Sequence, residues 1–191
     1  MMASGTRVAV ALLHHPVYGR QQEVVTTSVT GSDIHDIARI ARTYGVSPFY
    51  IVNPVTAQRE MVEAIKRHWF EEVVGHPRTE ALSLVLPVPS LADATADLAR
   101  RAGGPVRLVA TSARLREGVT SYKDLASRIR AAVYPAVLLL FGTGWGLTEE
   151  VIAQAEERLE AIDMGTGFNH LPVRAAVAII LDRLLGSRLS Y

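Results

Sequence analysis

The 191-residue chain contains no cysteine. Disulfides, thiolate nucleophiles, zinc–cysteine sites and cysteine-ligated iron–sulfur clusters are therefore all excluded, and with them a secreted, disulfide-stapled design. Lysine is almost missing too: Lys66 and Lys123 are the two lysines among 20 basic residues. Arginine suits phosphate recognition, and a GC-rich coding sequence favours it just as well. An excess of one charge is also absent. Twenty Lys+Arg against 19 Asp+Glu give a net charge of +1, so no global field draws the chain to nucleic acid. Long apolar runs are lacking as well. The most apolar stretches, Val8–Leu13 and Ala136–Phe141, are each about one buried strand long, which excludes a membrane span and a membrane partner. Arg7 with Val8–Leu13 is too short for a signal peptide and runs into His14-His15-Pro16, so the expected location is the cytoplasm.

What remains is an ordinary globular composition, 49% hydrophobic and 20% charged, in a length that suits one domain over 1–191. The charge is unevenly spread. Eight basic residues stand against Glu117 and Asp124 between Arg100 and Arg130, a surplus of six positive charges. Six acidic residues stand against Arg158 between Glu149 and Asp163. Such stretches are ordinarily solvated faces, yet a basic segment beside a catalytic loop would also steer a polyanion.

Short apolar strands alternate with amphipathic helices along the chain. The pattern predicts strands at Arg7–Leu13, Phe49–Val52, Ser83–Leu86, Val106–Ala110 and Ala136–Phe141. It predicts helices at Asp33–Tyr44, Ala57–Trp69, Ser90–Arg101, Tyr122–Val133, Thr148–Leu159 and from Leu171 to about Leu185. Ser32 or Asp33 can cap the first helix, and Asn169 and His170 the last. Strands without polar alternation, separated by helices, indicate an α/β fold: a parallel sheet covered on both faces. A ligand would then sit at the carboxyl ends of the strands, among the loops His14–Thr30, Asn53–Val55, Thr111–Ser121, Gly142–Leu147 and Asp163–His170.

Two of those loops carry chemistry. Gly142-Thr143-Gly144-Trp145-Gly146 follows the strongest strand and opens a helix capped by Thr148. Alternate glycines allow close backbone approach to a ligand, though a tight strand-to-helix turn needs no more. It is not a dinucleotide fingerprint. Glu149 and Glu150 in the next helical turn would repel a phosphate, so the ligand part here is neutral or cationic, an adenosine or a sulfonium. The second loop, Gly165-Thr166-Gly167-Phe168-Asn169-His170-Leu171-Pro172, could wall an adenine pocket. The helix after it, Val173–Leu185, is apolar nearly all round and calls for cover on two sides, by its own sheet and by a partner subunit.

These segments resemble the SPOUT, or trefoil-knot, class of S-adenosylmethionine-dependent RNA methyltransferases. Phe141–Leu147 with Thr148-Glu149-Glu150 is similar to the strand, glycine loop and helix of that class, and Asn169–Ala178 to its last motif. Asp33–Arg39, followed by Tyr44-Gly45-Val46 and a strand ending in Asn53-Pro54, resembles the first motif, where an Asn precedes an Arg by six residues. Thr111-Ser112-Ala113-Arg114 resembles a threonine–arginine loop of several members. The likeness covers almost the whole chain in order, and is greatest to a small bacterial branch carrying His14-His15-Pro16 and Asp33–Arg39. It departs where Asp33 replaces Asn and His35 replaces Gly. The glycine loop also lacks the glutamate common in ribose methylators, and its length is more like that of members that methylate a base nitrogen.

The resemblance implies a deep C-terminal knot, a homodimer, S-adenosylmethionine as cofactor and an RNA substrate, tRNA or rRNA, methylated on a base nitrogen or a ribose 2′-hydroxyl. It implies cofactor contacts from Thr111, Phe141, Gly142, Gly144, Gly146, Leu147, Ile162, Asn169, His170 and Leu171. Arg39 corresponds to the class's first-helix arginine. Its permanent cation would stabilise a developing oxyanion or hold a phosphate. His35, in the same helix turn, is the candidate base. Arg114 and Arg116 are the candidate RNA phosphate contacts. His14 and His15 without a spaced carboxylate are a weak metal signal, and no metal is expected. Two other readings stand beside this one: a regulatory module that binds S-adenosylmethionine or a nucleotide without chemistry, and a doubly wound oxidoreductase, against which Glu149 and Glu150 count.

Overall fold

The computed structural model describes residues 5–73 and 75–186. Aliphatic runs with no polar alternation become the interior strands, each buried on both faces. β1 (Arg7–Leu13) and β7 (Ala136–Gly142) run side by side in the middle, every residue from Val8 to Leu13 buried. β4 (Phe49–Val52), β5 (Val85–Val88), β6 (Val106–Ala110) and β8 (Glu157–Arg158) complete a six-stranded sheet in the order β5-β4-β1-β7-β6-β8. Every ladder in it is parallel.

The two-residue period of β1 divides the core. Val8, Val10 and Leu12 face α1 (Gly31–Thr43), α2 (Thr56–Glu72), α3 (Pro77–Leu82), α5 (Tyr122–Arg130) and α7 (Val173–Leu185). Ala9, Ala11 and Leu13 face α4 (Leu91–Ala102) and α6 (Glu149–Gln154). The expected doubly covered parallel sheet is present.

Several boundaries differ from expectation, each for a tertiary reason. α1 begins at Gly31 because Thr30, not Ser32 or Asp33, caps it, its hydroxyl accepting from the Asp33 amide. β5 lies two residues later than expected, since α3, with Pro77 in its first turn, occupies the chain up to Ser83. Pro87 is tolerated because β5 is an edge strand. α5 stops at Arg130, and Ala132 turns into the left-handed region at φ 52°. The helix expected to reach Leu159 stops at Gln154. Beyond it Glu156 accepts from the Leu108 amide at 2.8 Å, and Glu157 is drawn into β8. α7 starts after Pro172 with no side-chain cap, so Asn169 and His170 do not cap it.

Two connections shape the ends of the strands. Residues 14–30 contain a two-stranded hairpin, β2 (Val17–Tyr18) with β3 (Val24–Val25), which the sequence pattern does not announce. It docks on the glycine loop through a Val17–Leu147 bridge and a hydrogen bond from the Tyr18 amide to the Gly146 carbonyl at 2.9 Å. The loop after β6 arches across β8: Ala110 pairs with Arg158 on one side, and Thr120 bridges Leu159 on the other.

Candidate active site

Five segments meet at the carboxyl ends of the central strands and enclose a cleft of about 1050 Å³. The glycine loop 142–146 forms its floor, residues 111–114 and 160–162 one side, residues 167–173 another, and the hairpin segment from Gln22 to Asp33 the last. Of the residues that the sequence nominates for cofactor binding, Thr111, Phe141, Gly142, Gly144, Gly146, Ile162, Asn169, His170 and Leu171 all line this cleft. Leu147 does not; it is buried beneath the loop, against Val17.

The glycine loop has its shape because two positions admit no side chain. A Cβ at Gly142 would lie 2.5 Å from the Leu147 nitrogen, and Gly144 has φ +59° with a would-be Cβ 2.8 Å from the Tyr18 carbonyl oxygen. Gly144 thus gives way to the hairpin. The loop is pinned besides. The Thr143 amide donates to the Leu13 carbonyl at 3.1 Å, and the Trp145 amide to the Tyr18 carbonyl at 2.9 Å.

Behind the loop lies a chain of hydrogen bonds. Thr143 Oγ1 lies 3.1 Å from the Leu13 carbonyl oxygen and 2.5 Å from Thr27 Oγ1, which lies 2.9 Å from His14 Nδ1. The buried Nε2 of His14 has no hydrogen-bond partner among the described residues. Burial brings its pKa down to about 4, against a smaller opposing pull from the Asp33 carboxylate. Asn53, also buried, donates to the Thr27 carbonyl at 3.2 Å and accepts from the Val55 amide. The His14–His15 pair is committed to the hairpin, His15 lying 3.0 Å from the Thr26 hydroxyl. Among the described residues no three His, Asp or Glu side chains gather as a metal site, and no helix is long and apolar enough to cross a membrane.

The cleft carries two carboxylates, Asp33 and Glu160, and one arginine, Arg114. Asp33 lies 3.6 Å from Arg174 and Glu160 accepts from the Tyr122 amide at 2.6 Å, so the cleft has no surplus of positive charge to hold a polyphosphate. Apolar surface from Phe141, Ile162, Leu171 and Ile180 provides the remainder of a pocket able to take a flat ring.

Arg114 sits at the rim. Its guanidinium donates to the Trp145 carbonyl at 3.2 Å and to Gln22 Oε1 at 3.3 Å, 5.6 Å from the Tyr18 ring centroid. Arg116 lies outside the cleft and joins the two flanking loops, 3.1 Å from Asp163. Asn169 makes a parallel tie, donating to the Ala113 carbonyl at 3.1 Å. The loop 111–121 is therefore pinned. The basic segment is also less free than its surplus suggests, because Arg100 and Arg101 pair with Asp97, and Arg107 and Arg128 with Glu157.

His35 and Arg39 are not brought to the cleft of their own chain. α1 reaches it only through its first turn, at Asp33. His35 packs edge-on against Trp69, ring centroids 5.4 Å apart, and burial, then the Arg78 cation, lowers its pKa. Arg39 is exposed, 3.9 Å from Asp36. Sequence reasoning misses Glu160 and the hairpin residues Tyr18 and Gln22, which no local pattern marks. Trp145, held between two glycines, is the signal that could have been followed.

A six-stranded parallel sheet whose cleft is built from a glycine loop and an adjoining tail loop has the fold of the SpoU/TrmH methyltransferases. The SpoU methyltransferase AviRb of Streptomyces viridochromogenes, solved in complex with AdoMet, matches 97% of this chain and 59% of its own at TM-score 0.62, with 19% identity. The sequence profile of the SAM-dependent RNA methyltransferase family matches residues 7–186, and the chain belongs to that family. A curated tRNA (guanine-N(1)-)-methyltransferase of Oleidesulfovibrio alaskensis is 38% identical over 97% of the chain. The chain spans less than half of that relative, 43%, whereas a protein of Aquifex aeolicus, 36% identical, is matched over 93% of this chain and 87% of its own. Family membership disposes of the oxidoreductase reading.

Proposed function

We propose that this chain is a single methyltransferase domain that transfers the methyl group of S-adenosylmethionine to RNA in the cytoplasm, with tRNA the first substrate to test. The observation that carries the reading is the convergence of nine nominated residues on one cleft in a chain matched by the family from 7 to 186. The residues fit the cofactor: Phe141, Ile162, Leu171 and Ile180 give apolar walls for a purine, and the lining has no surplus of positive charge to oppose a sulfonium. The chemistry drawn from the cofactor is an electrophilic methyl group on a sulfonium. Positions along the curated tRNA relative that lie outside the match, 57% of its length by difference from the 43% matched, can carry its named guanine-N1 specificity. That specificity therefore stays with the relative.

The protein's own part is to position and to stabilise charge. Floor and walls fix the donor, while Arg114 and Arg116 meet RNA phosphates. Arg39 comes from a second protomer, since it does not reach the cleft of its own. It meets the acceptor's developing negative charge. His35 arrives on the same helix, and its lowered pKa favours the neutral imidazole that accepts a proton. A homodimer is supported by Met164, Phe168 and Leu171, large apolar side chains left exposed beside the cleft. It is supported less by α7 than its composition suggests, because Val177, Ile180, Leu181 and Leu184 are already buried within one chain. Threading of the tail as a trefoil knot is supported by the position of residues 158–159 between Ala110 and Thr120, the residues at the two ends of the loop 111–119.

Calorimetry with S-adenosylhomocysteine, followed by transfer of a labelled methyl group into unfractionated tRNA and rRNA, tests the reading. Binding without transfer would favour the regulatory-module reading. Replacing Arg114 and Arg116 with alanine should weaken tRNA binding and flatten the salt slope of log affinity by about 0.7–0.9 for each phosphate no longer neutralised, leaving S-adenosylhomocysteine affinity unchanged. An unaltered slope would remove both arginines from the RNA interface.

A further inference from the structure

Trp145 is the anomaly of the cleft. Its backbone is fastened at both polar atoms, the amide donating to the Tyr18 carbonyl at 2.9 Å and the carbonyl accepting from Arg114 at 3.2 Å. The residue lines the cleft and nonetheless remains 52% exposed. Gly144 and Gly146, both at positive φ, flank it, so the loop raises one large ring on a rigid turn with no neighbouring side chain in its own strand of backbone to cover it. A tryptophan kept for packing would be buried, since its apolar area is among the largest of any residue. A large ring left exposed on a pinned turn of the cleft has the properties of a stacking platform for an unpaired base.

We propose that Trp145 stacks on the nucleobase of the RNA nucleotide delivered to the cleft, as a substrate-positioning residue distinct from the cofactor contacts; this rests on the RNA methyltransferase reading above. Beside it, Gln22 lines the same mouth and is held at φ 64° by a turn whose Gly19 carbonyl accepts from the Gln22 amide at 3.2 Å. Non-glycine residues in that region cost energy and persist where the surroundings over-determine them, which favours functional positions. Its amide oxygen is engaged by Arg114 at 3.3 Å, which leaves the amide N–H₂ group as a donor for a base edge. Stacking supplies the sequence-tolerant part of the grip, and Gln22 the polar part.

The test uses the protein's two tryptophans, Trp69 and Trp145. In a Trp69→Phe background the fluorescence reports Trp145 alone, and unfractionated tRNA should quench it, whereas S-adenosylhomocysteine should not abolish that response. Trp145→Ala should lose about tenfold in tRNA affinity, and Trp145→Phe much less, because a phenyl face still stacks. The thermal midpoint and the sedimentation coefficient should be unchanged in both, and affinity for S-adenosylhomocysteine should fall far less than affinity for tRNA. If Trp145→Ala loses S-adenosylhomocysteine affinity in parallel, or changes the oligomeric state, the ring belongs to the cofactor pocket or the subunit interface and the proposal is overturned. Unchanged tRNA affinity in Trp145→Ala overturns it as well. A wild-type protein that binds no tRNA at all would sink the substrate reading and this inference together, so the two failures are distinguishable by which protein shows them.

Discussion

His14 and Gly144 show how much of the site depends on single atoms. A histidine with a folded pKa of about 4 and an unfolded value near 6.5 binds fewer protons folded than unfolded between those limits. Its contribution is intact above about pH 6.5 and is lost as pH falls toward 4, by up to roughly 3 kcal/mol over the window. The urea midpoint should therefore drop between pH 7 and pH 4.5 in the wild type and drop less in His14→Gln, whose amide can still donate to Thr27 but does not titrate. Equal slopes in the two proteins would mean that His14 is not the group being protonated. At Gly144 the strain comes from the hairpin. Gly144→Val must move the Tyr18 carbonyl, now 2.8 Å from where a Cβ would stand, and must also accept φ +59° with a β-branched side chain. Calorimetry should find no S-adenosylhomocysteine binding to this variant, and its melting point should fall as well, since Tyr18 anchors the hairpin through the Gly146 carbonyl. Lost binding with an unaltered melting point would mean that the valine acts on the ligand alone.

At the level of elements, the parts legible in the sequence are those whose cause is local. β1 and β7 announce themselves because six successive apolar residues have no solvent face, and the glycine loop because its residue type sets its conformation. The caps at Ser90 and Ser121, each accepting from the amide three residues on, are equally local. β8 is illegible because nothing in Glu156–Arg158 resembles a strand. The segment is extended by partners far along the chain, Arg107 at 3.2 Å, Arg128 at 3.0 Å and the Tyr134 hydroxyl at 2.7 Å, all on the Glu157 carboxylate. The hairpin over the glycine loop is similarly made by tertiary hydrogen bonds, and α1 is readable as a helix while its distance from the cleft is not. β8 therefore depends on Glu157, whose side chain is 6% exposed. Glu157→Ala should cost about 2 kcal/mol in urea unfolding, below the range for fully buried pairs because both arginines reach solvent. Glu157→Gln, which can still accept from Tyr134, should cost about half as much. Both should weaken S-adenosylhomocysteine binding, because Glu160 and Ile162 follow directly from this strand into the cleft; a stability loss with full affinity would uncouple β8 from the site.

For the whole molecule the decisive relation is between α1 and the cleft. Asp33 lines the cleft while Arg39, a turn and a half along the helix, pairs with Asp36 at the surface. Arg174 on α7 lies 3.6 Å from Asp33 and 3.5 Å from Asp36, which fixes the start of α1 against the tail helix. A helix held in this way cannot swing its second turn into its own cleft without breaking those ion pairs. If Arg39 takes part in transfer, it must serve the cleft of a second copy, in an arrangement where each protomer lends α1 to the other. Mixed subunits make this measurable. Gly144→Val removes the cofactor floor but keeps Arg39, and Arg39→Ala keeps the floor but removes the cation, so each homodimer should be nearly inactive. Equal amounts, unfolded and refolded together, give half mixed dimers. Each mixed dimer has one site with both an intact floor and an intact arginine. Methyl transfer to tRNA should return to about a quarter of the wild-type rate. If Arg39 acted within its own chain, no mixed site would be complete and the mixture would stay as inactive as its parts. Full activity in Arg39→Ala alone would remove the residue from the chemistry.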